Sequence, residues 1–451
     1  MAASDFILAA AQTPVPRYTS YPTAPHFHAG VDADTYGGWL AALPADAALS
    51  VYVHVPYCDT LCWFCGCHTR ITRRHAPVTS YVEALKAEMA SVAARVPASA
   101  RLTHLHWGGG SPTLLSPDEI RDLAAALAAA FPATTRRTFA VEVDPRGLTE
   151  DTVQALAEAG LTRVSIGVQD FAPEVQQAIN RIQSFEETSR AVTLFRERGV
   201  DSLNIDAVYG LPRQTTAHVL ATMRQIARLR PDRIALFGYA HVPWMKRHQA
   251  MIHEADLPGP LQRHEQAEAA AEALMAEGYA RIGFDHFALP DDELAVAARA
   301  GTLIRNFQGY TVDPADALIG LGASSIGRLP QGYVQNESAI ANYSRTVLGG
   351  GLATARGYEL SPEDRLRARV IERLMCDMVF DPADLAEAPP ALADALAATG
   401  RAVLADDRAG HVAPEGRGFR MTEAGRPFVR LAAARFDAYL TPDPQRHAAA
   451  V

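Results

Sequence analysis

The chain reads as an α/β protein built on a partial (β/α)6 barrel, preceded by an N-terminal arm and followed by a small, mostly helical, winged-helix-like unit. Two observations predict the barrel. Six strand-like runs alternate with amphipathic stretches, an order that yields parallel strands joined by crossover helices. The unusual residues also gather where those runs end, as active-site groups do at the carboxyl ends of barrel strands. A dinucleotide fold would concentrate its signal in one G-x-G-x-x-G turn, and this chain has none.

The arm, 1–50, contains the run Arg17-Tyr18-Thr19-Ser20-Tyr21-Pro22, whose aromatics and Arg suit a segment folding back over something flat and anionic. The barrel spans 51–350. Its strands are expected at 51–55, 103–107, 138–143, 163–168, 202–208 and 233–239, mostly rich in β-branched or aromatic residues. Helices are expected at 81–95, 116–131, 149–159 and 184–198. Ser116-Pro117-Asp118-Glu119 is a helix start with Pro at its first position and Glu at the capping-box position. Gly160 and Gly199 stop two helices just before the next strand.

The strand ends carry the chemistry. A cysteine loop follows the first strand, and the second ends in Gly108-Gly109-Gly110-Ser111-Pro112. The third ends in Glu142-Val143-Asp144-Pro145 and the fourth in Gln169-Asp170. The fifth carries Asp206 and Tyr209-Gly210, and the sixth runs out at Tyr239-Ala240-His241. Beyond Gly349-Gly350-Gly351 the unit 351–451 begins, with a helix from Ser361 and a final helical stretch after Thr422-Glu423-Ala424-Gly425. A winged-helix pattern invites a DNA-binding reading. From Ser361 to Val451 there are 12 Arg and no Lys against 14 Asp plus Glu, so the basic footprint is missing and a packing or lid role is expected. Cys376, inside the first of these helices, reads as an apolar filler.

The bulk numbers bound the partners. At 451 residues, 48% hydrophobic and 21% charged, the composition is that of an ordinary globular protein. A net charge of −9 argues against nucleic acid or an anionic membrane as the main partner. No apolar run is long enough to span a membrane and the N-terminus lacks a secretory pattern, so a reducing cytoplasm is the expected compartment. A monomer is expected.

The most informative motif is Cys58-x3-Cys62-x2-Cys65, with Cys67 two residues on. Three thiolates this close can hold three irons of a [4Fe–4S] cube and leave the fourth open to a cofactor or substrate. A disulfide framework does not suit cysteines crowded into ten residues. Structural zinc, on all four cysteines or on three with His68, is the serious rival, though the single-residue gap from Cys65 to Cys67 makes tetrahedral ligation awkward. A Cys62-x-x-Cys65 redox pair would leave the other cysteines idle.

Other candidates are weaker alone. Three successive glycines at 108–110 suit close approach of backbone to a ligand better than a plain turn. Glu142, Gln169 and Asp206 would be costly at a barrel mouth without partners, and together they suit ribose hydroxyls or an amino group. A structural ion pair with Arg181 is the alternative. His104 and His106 alternate on a half-buried strand and are read as structural. Asp285-His286 suits an imidazole oriented for acid–base work, although a satisfied core histidine is the commoner arrangement.

With these residues assembled, the sequence resembles the radical S-adenosylmethionine (SAM) superfamily, and within it the oxygen-independent coproporphyrinogen III oxidases. The likeness covers nearly the whole chain. It rests on the cysteine motif with its Cys65-Gly66-Cys67 ending, the run from Arg17 to Ala24, His106-Trp107-Gly108-Gly109-Gly110, Gly167 to Phe171, Asn204 to Asp206, Asp285 to Ala288 and Arg305 to Thr311. Ser111 stands where the family usually has threonine, and Trp63 replaces a smaller aromatic.

The resemblance implies a radical SAM barrel in which Cys58, Cys62 and Cys65 bind a [4Fe–4S] cluster, while Cys67 is not a ligand but matters for activity. It implies two SAM molecules per site. Tyr52, Glu142 and Ile326 would contact the first. Phe64, Gly109, Gly110, Ser111, Gln169, Arg181, Asp206 and Ala240 would line the pair, mostly at the second. A 5′-deoxyadenosyl radical, formed with an electron from a low-potential flavodoxin or ferredoxin system, would turn two propionates of coproporphyrinogen III into vinyl groups. Arg17 is the expected partner of a substrate carboxylate. A haem-binding chaperone and a haem-directed methyltransferase of the same superfamily are the alternatives, and the chaperone branch lacks the equivalents of Cys67 and of the N-terminal run.

Overall fold

The structure, a computed structural model, describes residues 3–200 and 202–440. Its frame is a twelve-stranded sheet. Six parallel strands, Ala48–Val55, Arg101–Gly109, Ala133–Val143, Arg163–Gln169, Ser202–Tyr209 and Arg233–Gly238, lie side by side in chain order. They are the six runs expected from the sequence, with ends moved by a few residues. A seventh parallel strand, Ala317–Leu321, pairs with the free side of Ala48–Val55. All five of its residues are buried, so it shows no polar alternation, and a short apolar run of this kind cannot be told from a buried helix segment by periodicity.

Antiparallel strands extend both edges. Ile326–Leu329, Gly332–Asn336 and Thr354–Glu359 follow the seventh strand, and His286–Ala288 and Ala280–Ile282 follow the sixth. Thr354–Glu359 lies past Gly349-Gly350-Gly351, so the sheet crosses the boundary that the glycine run suggests. Its pairing with Gly332–Asn336 outweighs the local break.

Register sorts the side chains. Tyr52 is opposite His106, His106 opposite Ala140, Glu142 opposite Ser165, Ser165 opposite Asn204, and Gly167 opposite Asp206. Successive residues in a strand face opposite sides, so these polar residues share one face. Their neighbours Val51, Leu105, Val141, Ile166 and Ile205 point the other way into an apolar core, each at most 2% exposed. The helices Ala76–Ala93, Pro117–Ala130, Glu150–Glu158, Phe185–Glu197 and Thr216–Arg228 supply the rest of that core. Burying one such aliphatic side chain is worth about 2 kcal/mol. Ser116 and Ser184 both close capping boxes, which starts their helices where the sequence places them.

The N-terminal segment is built into the molecule. Tyr36, Trp39 and Leu40 on the helix Ala33–Ala41 join the barrel core, and His28 bridges to Gly357 at the sheet edge. Tyr18 and Tyr21 join a second core, with Leu366, Val370, Leu374 and Phe419 of the C-terminal unit. That unit combines the helices Pro362–Asp377, Pro390–Asp406 and Val429–Ala434 with a small antiparallel sheet in which Gly418–Met421 lies between Val379–Phe380 and Val412–Glu415. Cys376 is a buried filler packed beside Tyr310 and Leu294.

Candidate active site

Cys58 closes a two-residue strand, Tyr57–Cys58, that pairs with Arg70–Ile71 and so ties down both ends of the cysteine loop. Other elements pin the loop between them. Trp63 N donates to Ile179 O at 2.9 Å, Asn180 Nδ2 to Leu61 O at 2.8 Å, and Gln249 Nε2 to Phe64 O at 3.0 Å. Lys246 Nζ donates to Cys67 O at 3.0 Å, and His248 Nε2 lies 2.8 Å from Cys65 O. All four cysteines line one open cavity.

The thiols sit in different fields. Cys62 Sγ has Arg146 Nη2 and Arg181 Nη1 each 3.6 Å away. Asp144 holds both guanidiniums, with contacts of 2.6 Å and 3.0 Å, and they keep its carboxyl below the usual range against the effect of burial. The hydrogen bond from Cys67 draws the Cys65 thiol down to about 6, helped by the Cys67 amide, His248 and Lys246 and opposed by burial. Burial pushes Cys58 up to about 12. Among the described residues no three His, Cys, Asp or Glu side chains converge as a single metal ion requires. A mononuclear zinc site needs such convergence, whereas a cube spreads its thiolates over different irons.

Glu142 faces the same cavity. Its carboxylate accepts a hydrogen bond from Gly109 N at 3.0 Å, and its Oε1 lies 3.1 Å from His106 Nε2. Burial disfavours its charge, but these two contacts outweigh it and hold the carboxyl below its ordinary range. Asp206 accepts from Ser165 Oγ at 3.0 Å and Asn204 Nδ2 at 2.8 Å. Burial and the nearby Glu142 charge push it up to about 6. Gln169, at φ 71°, ends its strand in the left-handed region next to a register shift. The side chain of Arg181 caps Gly167 O at 2.7 Å.

The glycines have structural as well as ligand-facing reasons. A Cβ on Gly108 would sit 2.5 Å from Glu142 Oε1, and one on Gly110 would sit 2.5 Å from Tyr57 O. Gly109 adopts φ +106°, with the His54 ring where a Cβ would lie. The turn therefore needs all three, and Gly109 and Gly110 also line the cavity.

Of the residues singled out in the sequence, Cys58, Cys62, Cys65, Cys67, Phe64, Gly109, Gly110, Glu142, Gln169, Arg181 and Asp206 come together around this cavity. Tyr52 and Ile326 are not among its lining residues. Tyr52 is opposite Gly320, whose missing side chain leaves room for the Ile326 backbone 2.8 Å from the Cβ position. Ser111 is buried with its Oγ 2.9 Å from Thr113 Oγ1. Ala240 and Arg17 line a different cavity, with Tyr209, Tyr239 and Asp285. His104 does pair structurally, its Nδ1 2.8 Å from Asp313 Oδ1. His106 instead orients Glu142. Sequence reasoning also missed His54, within 3.0 Å of Tyr52 OH, and the clamps Lys246 and His248, which lie in a loop with no motif to mark it.

The radical SAM superfamily profile matches residues 52–226. An oxygen-independent coproporphyrinogen III oxidase of Bradyrhizobium diazoefficiens is 47% identical over 448 residues, covering 99% of this chain and 100% of that protein. Its counterpart in Paracoccus denitrificans is 48% identical, covering 94% of each. The solved coproporphyrinogen III oxidase of Escherichia coli superposes with a TM-score of 0.89 at 38% identity, covering 94% of this chain and 98% of that one. The chain belongs to the oxygen-independent coproporphyrinogen III oxidases. It is thus a radical SAM enzyme, an oxidoreductase of haem biosynthesis. Membership implies a [4Fe–4S] cluster and SAM, and the residues fit both. Three cysteines open on one cavity with two guanidiniums against Cys62, and an ionised carboxylate and Gly109 and Gly110 line the same cavity. No helix among the described residues is long and apolar enough to cross a membrane.

Proposed function

We propose that the chain converts two propionate side chains of coproporphyrinogen III to vinyl groups, giving protoporphyrinogen IX without molecular oxygen. The observation that carries this reading is the convergence of the Cys58, Cys62 and Cys65 thiols with Glu142 and Asp206 on one cavity, in a chain alike over nearly its full length to oxidases of this reaction. Each propionate loses a hydrogen atom from its β-carbon, carbon dioxide and one electron. When bound, the cluster and SAM, fed by a low-potential carrier such as a flavodoxin or ferredoxin, supply the radical that takes the hydrogen atom.

The chain's own residues bind, orient and exclude water. Cys58, Cys62 and Cys65 would hold the cluster, and the guanidiniums of Arg146 and Arg181, which share Asp144, would offset part of its negative charge. Glu142, kept ionised, would take the amino group of a first SAM, with Tyr52 and Ile326 as further contacts. Phe64, Gly109, Gly110, Gln169, Arg181 and Asp206 would receive a second SAM beside the first, with Ser111 and Ala240 at its margins. Cys67 lines the cavity and would act there without being a ligand of the cluster. A monomer working in the cytoplasm completes the proposal.

Anaerobic incubation of the reconstituted protein with coproporphyrinogen III, SAM and a reductant, followed by product chromatography, tests it. Mono- and divinyl products are expected. An intact cluster with no vinyl product overturns the reading.

A further inference from the structure

We infer that two exposed basic segments bonded to the cysteine loop, residues 70–74 and 245–251, form the docking surface for a small acidic protein that carries one electron at low potential. The inference rests on the proposed function, which needs an electron from such a carrier, and gives that partner a place on the molecule. The reduced carrier would give up one electron there and leave oxidised, with no atom transferred.

Charge is the first argument. The chain carries −9 overall, yet residues 66–75 hold Arg70, Arg73 and Arg74 with no acid. Residues 241–253 hold Lys246 and Arg247, again with no acid, and Asp59 is the one acid on the cysteine loop itself. The four arginines are exposed, and none makes an ion pair among the described residues. Exposed arginines on other parts of the chain are matched, Arg121 to Glu158, Arg420 to Glu415 and Arg435 to Asp406. Lys246 gives its Nζ to the Cys67 carbonyl at 3.0 Å, a contact that orients the charge without neutralising it. A one-signed patch on an acidic molecule steers an acidic partner to that patch and away from the rest of the surface.

Position is the second argument. Ile71 is paired with Cys58, while Lys246 and His248 reach the carbonyls of Cys67 and Cys65. Cys67 and Arg70 are three residues apart, so the two segments meet within ~11 Å. A protein seated across both lies against the loop that carries the thiols. Apolar side chains stand out from the same place: Ile71, Met245 and Met251 are 38%, 59% and 54% exposed. Ile182, 62% exposed, follows Arg181, whose Nη1 is 3.6 Å from Cys62 Sγ, and Asn180 beside it bonds the loop at Leu61 O. One exposed apolar side chain is ordinary, but four on segments bonded to a single ten-residue loop mark a contact surface. The substrate also carries carboxylates. None of these five cations lines the cysteine cavity, and that position favours a protein carrier over the substrate.

The test uses the cluster-loaded protein with two reductants, a purified acidic flavodoxin in its reduced form and the small molecule dithionite. At limiting flavodoxin, turnover of coproporphyrinogen III is expected to fall tenfold or more in Arg247→Glu and in the double variant Arg73→Glu, Arg74→Glu. The difference from wild type should shrink at high salt. Dithionite-driven turnover, iron content and SAM binding should stay at wild-type levels. Carbodiimide coupling gives a readout apart from turnover. Lys86 and Lys246 are the only lysines of the chain, so flavodoxin carboxylates should couple to Lys246 of the wild type and not to Lys86, which is paired with Asp122. Flavodoxin-driven turnover unchanged in both variants, or coupling at Lys86 in place of Lys246, overturns the docking surface. An equal loss with dithionite assigns the arginines to the substrate and overturns it too. Coupling at Lys246 in a wild type that makes no vinyl product with either reductant would sink the oxidase reading and leave the surface standing.

Discussion

His106 Nε2 lies 3.1 Å from Glu142 Oε1, across a strand pair, and turns a carboxylate toward the cysteine cavity. The pair is a positioning device, because His106 reaches the cavity only through Glu142. Replacing the imidazole with Phe removes that contact from a carboxylate whose side chain is 40% exposed in the cavity, and frees it to turn away. His106→Phe is therefore expected to weaken SAM binding roughly tenfold with the cluster intact. His106→Gln, which keeps a donor, should recover part of it. Equilibrium SAM binding to the reduced and unreduced protein checks this, and equal affinity in all three proteins would refute it.

Cys62 and Cys67 should respond differently to serine. Cys62 is buried against Arg146 and Arg181, whereas Cys67 lines the cavity and donates its backbone N–H to Cys65 Sγ. Cys62→Ser is expected to lose most of its iron and sulfide. Cys67→Ser should keep both while losing vinyl product. Iron and sulfide assays beside product chromatography decide it, and cluster loss in Cys67→Ser would make that cysteine a ligand after all.

Which parts of this were legible in the sequence follows from how local each signal is. Strand alternation and the Ser116 and Ser184 capping boxes are encoded within a few residues, so the six strands and their helices emerge with small end errors. Ala317–Leu321 was hidden because it is buried on both faces and acquires meaning only beside Ala48–Val55. Cysteine spacing marks the cluster motif, but nothing in the stretch around Lys246 and His248 says that it will fold under the loop. His106 was misjudged for a related reason. Alternation places it on the inner face, yet its role depends on Glu142, 36 residues later in the chain.

Glu88 offers a test of stability rather than of chemistry. It is 2% exposed and accepts hydrogen bonds from Gly322 N at 2.7 Å, Asn336 Nδ2 at 2.5 Å and Tyr343 OH at 2.6 Å, joining a barrel helix to the edge strands. Burial outweighs those bonds and pushes its carboxyl up to about 7. A carboxyl raised in the folded state stabilises most below its unfolded value, near 4.5, and loses that contribution as pH rises toward 7. Relative to Glu88→Gln, whose amide does not titrate, the wild type should lose up to about 3 kcal/mol between pH 5 and 8. Denaturant unfolding of both proteins at the two pH values measures it, and a constant difference would contradict the shift.

Arg17 brings the N-terminal segment to the mouth of the barrel. Its neighbours do the anchoring. Tyr18 OH donates to Asp437 Oδ2 at 3.0 Å, Tyr21 OH accepts from Ala438 N at 3.0 Å, and both rings are buried in the C-terminal core. Arg17 keeps solvent-exposed surface although protein surrounds it, as a side chain lining a cavity does. Its guanidinium is therefore expendable for folding and available to an anion. Arg17→Ala is expected to unfold at close to the wild-type denaturant midpoint while KM for coproporphyrinogen III rises tenfold or more, a loss of about 1.4 kcal/mol in binding. The effect on kcat should be smaller, because Arg17 lines a cavity separate from the one that the cysteines line. Steady-state turnover at varied substrate separates the two constants. Unchanged turnover and unchanged affinity would remove Arg17 from substrate binding and leave the segment a purely structural strap.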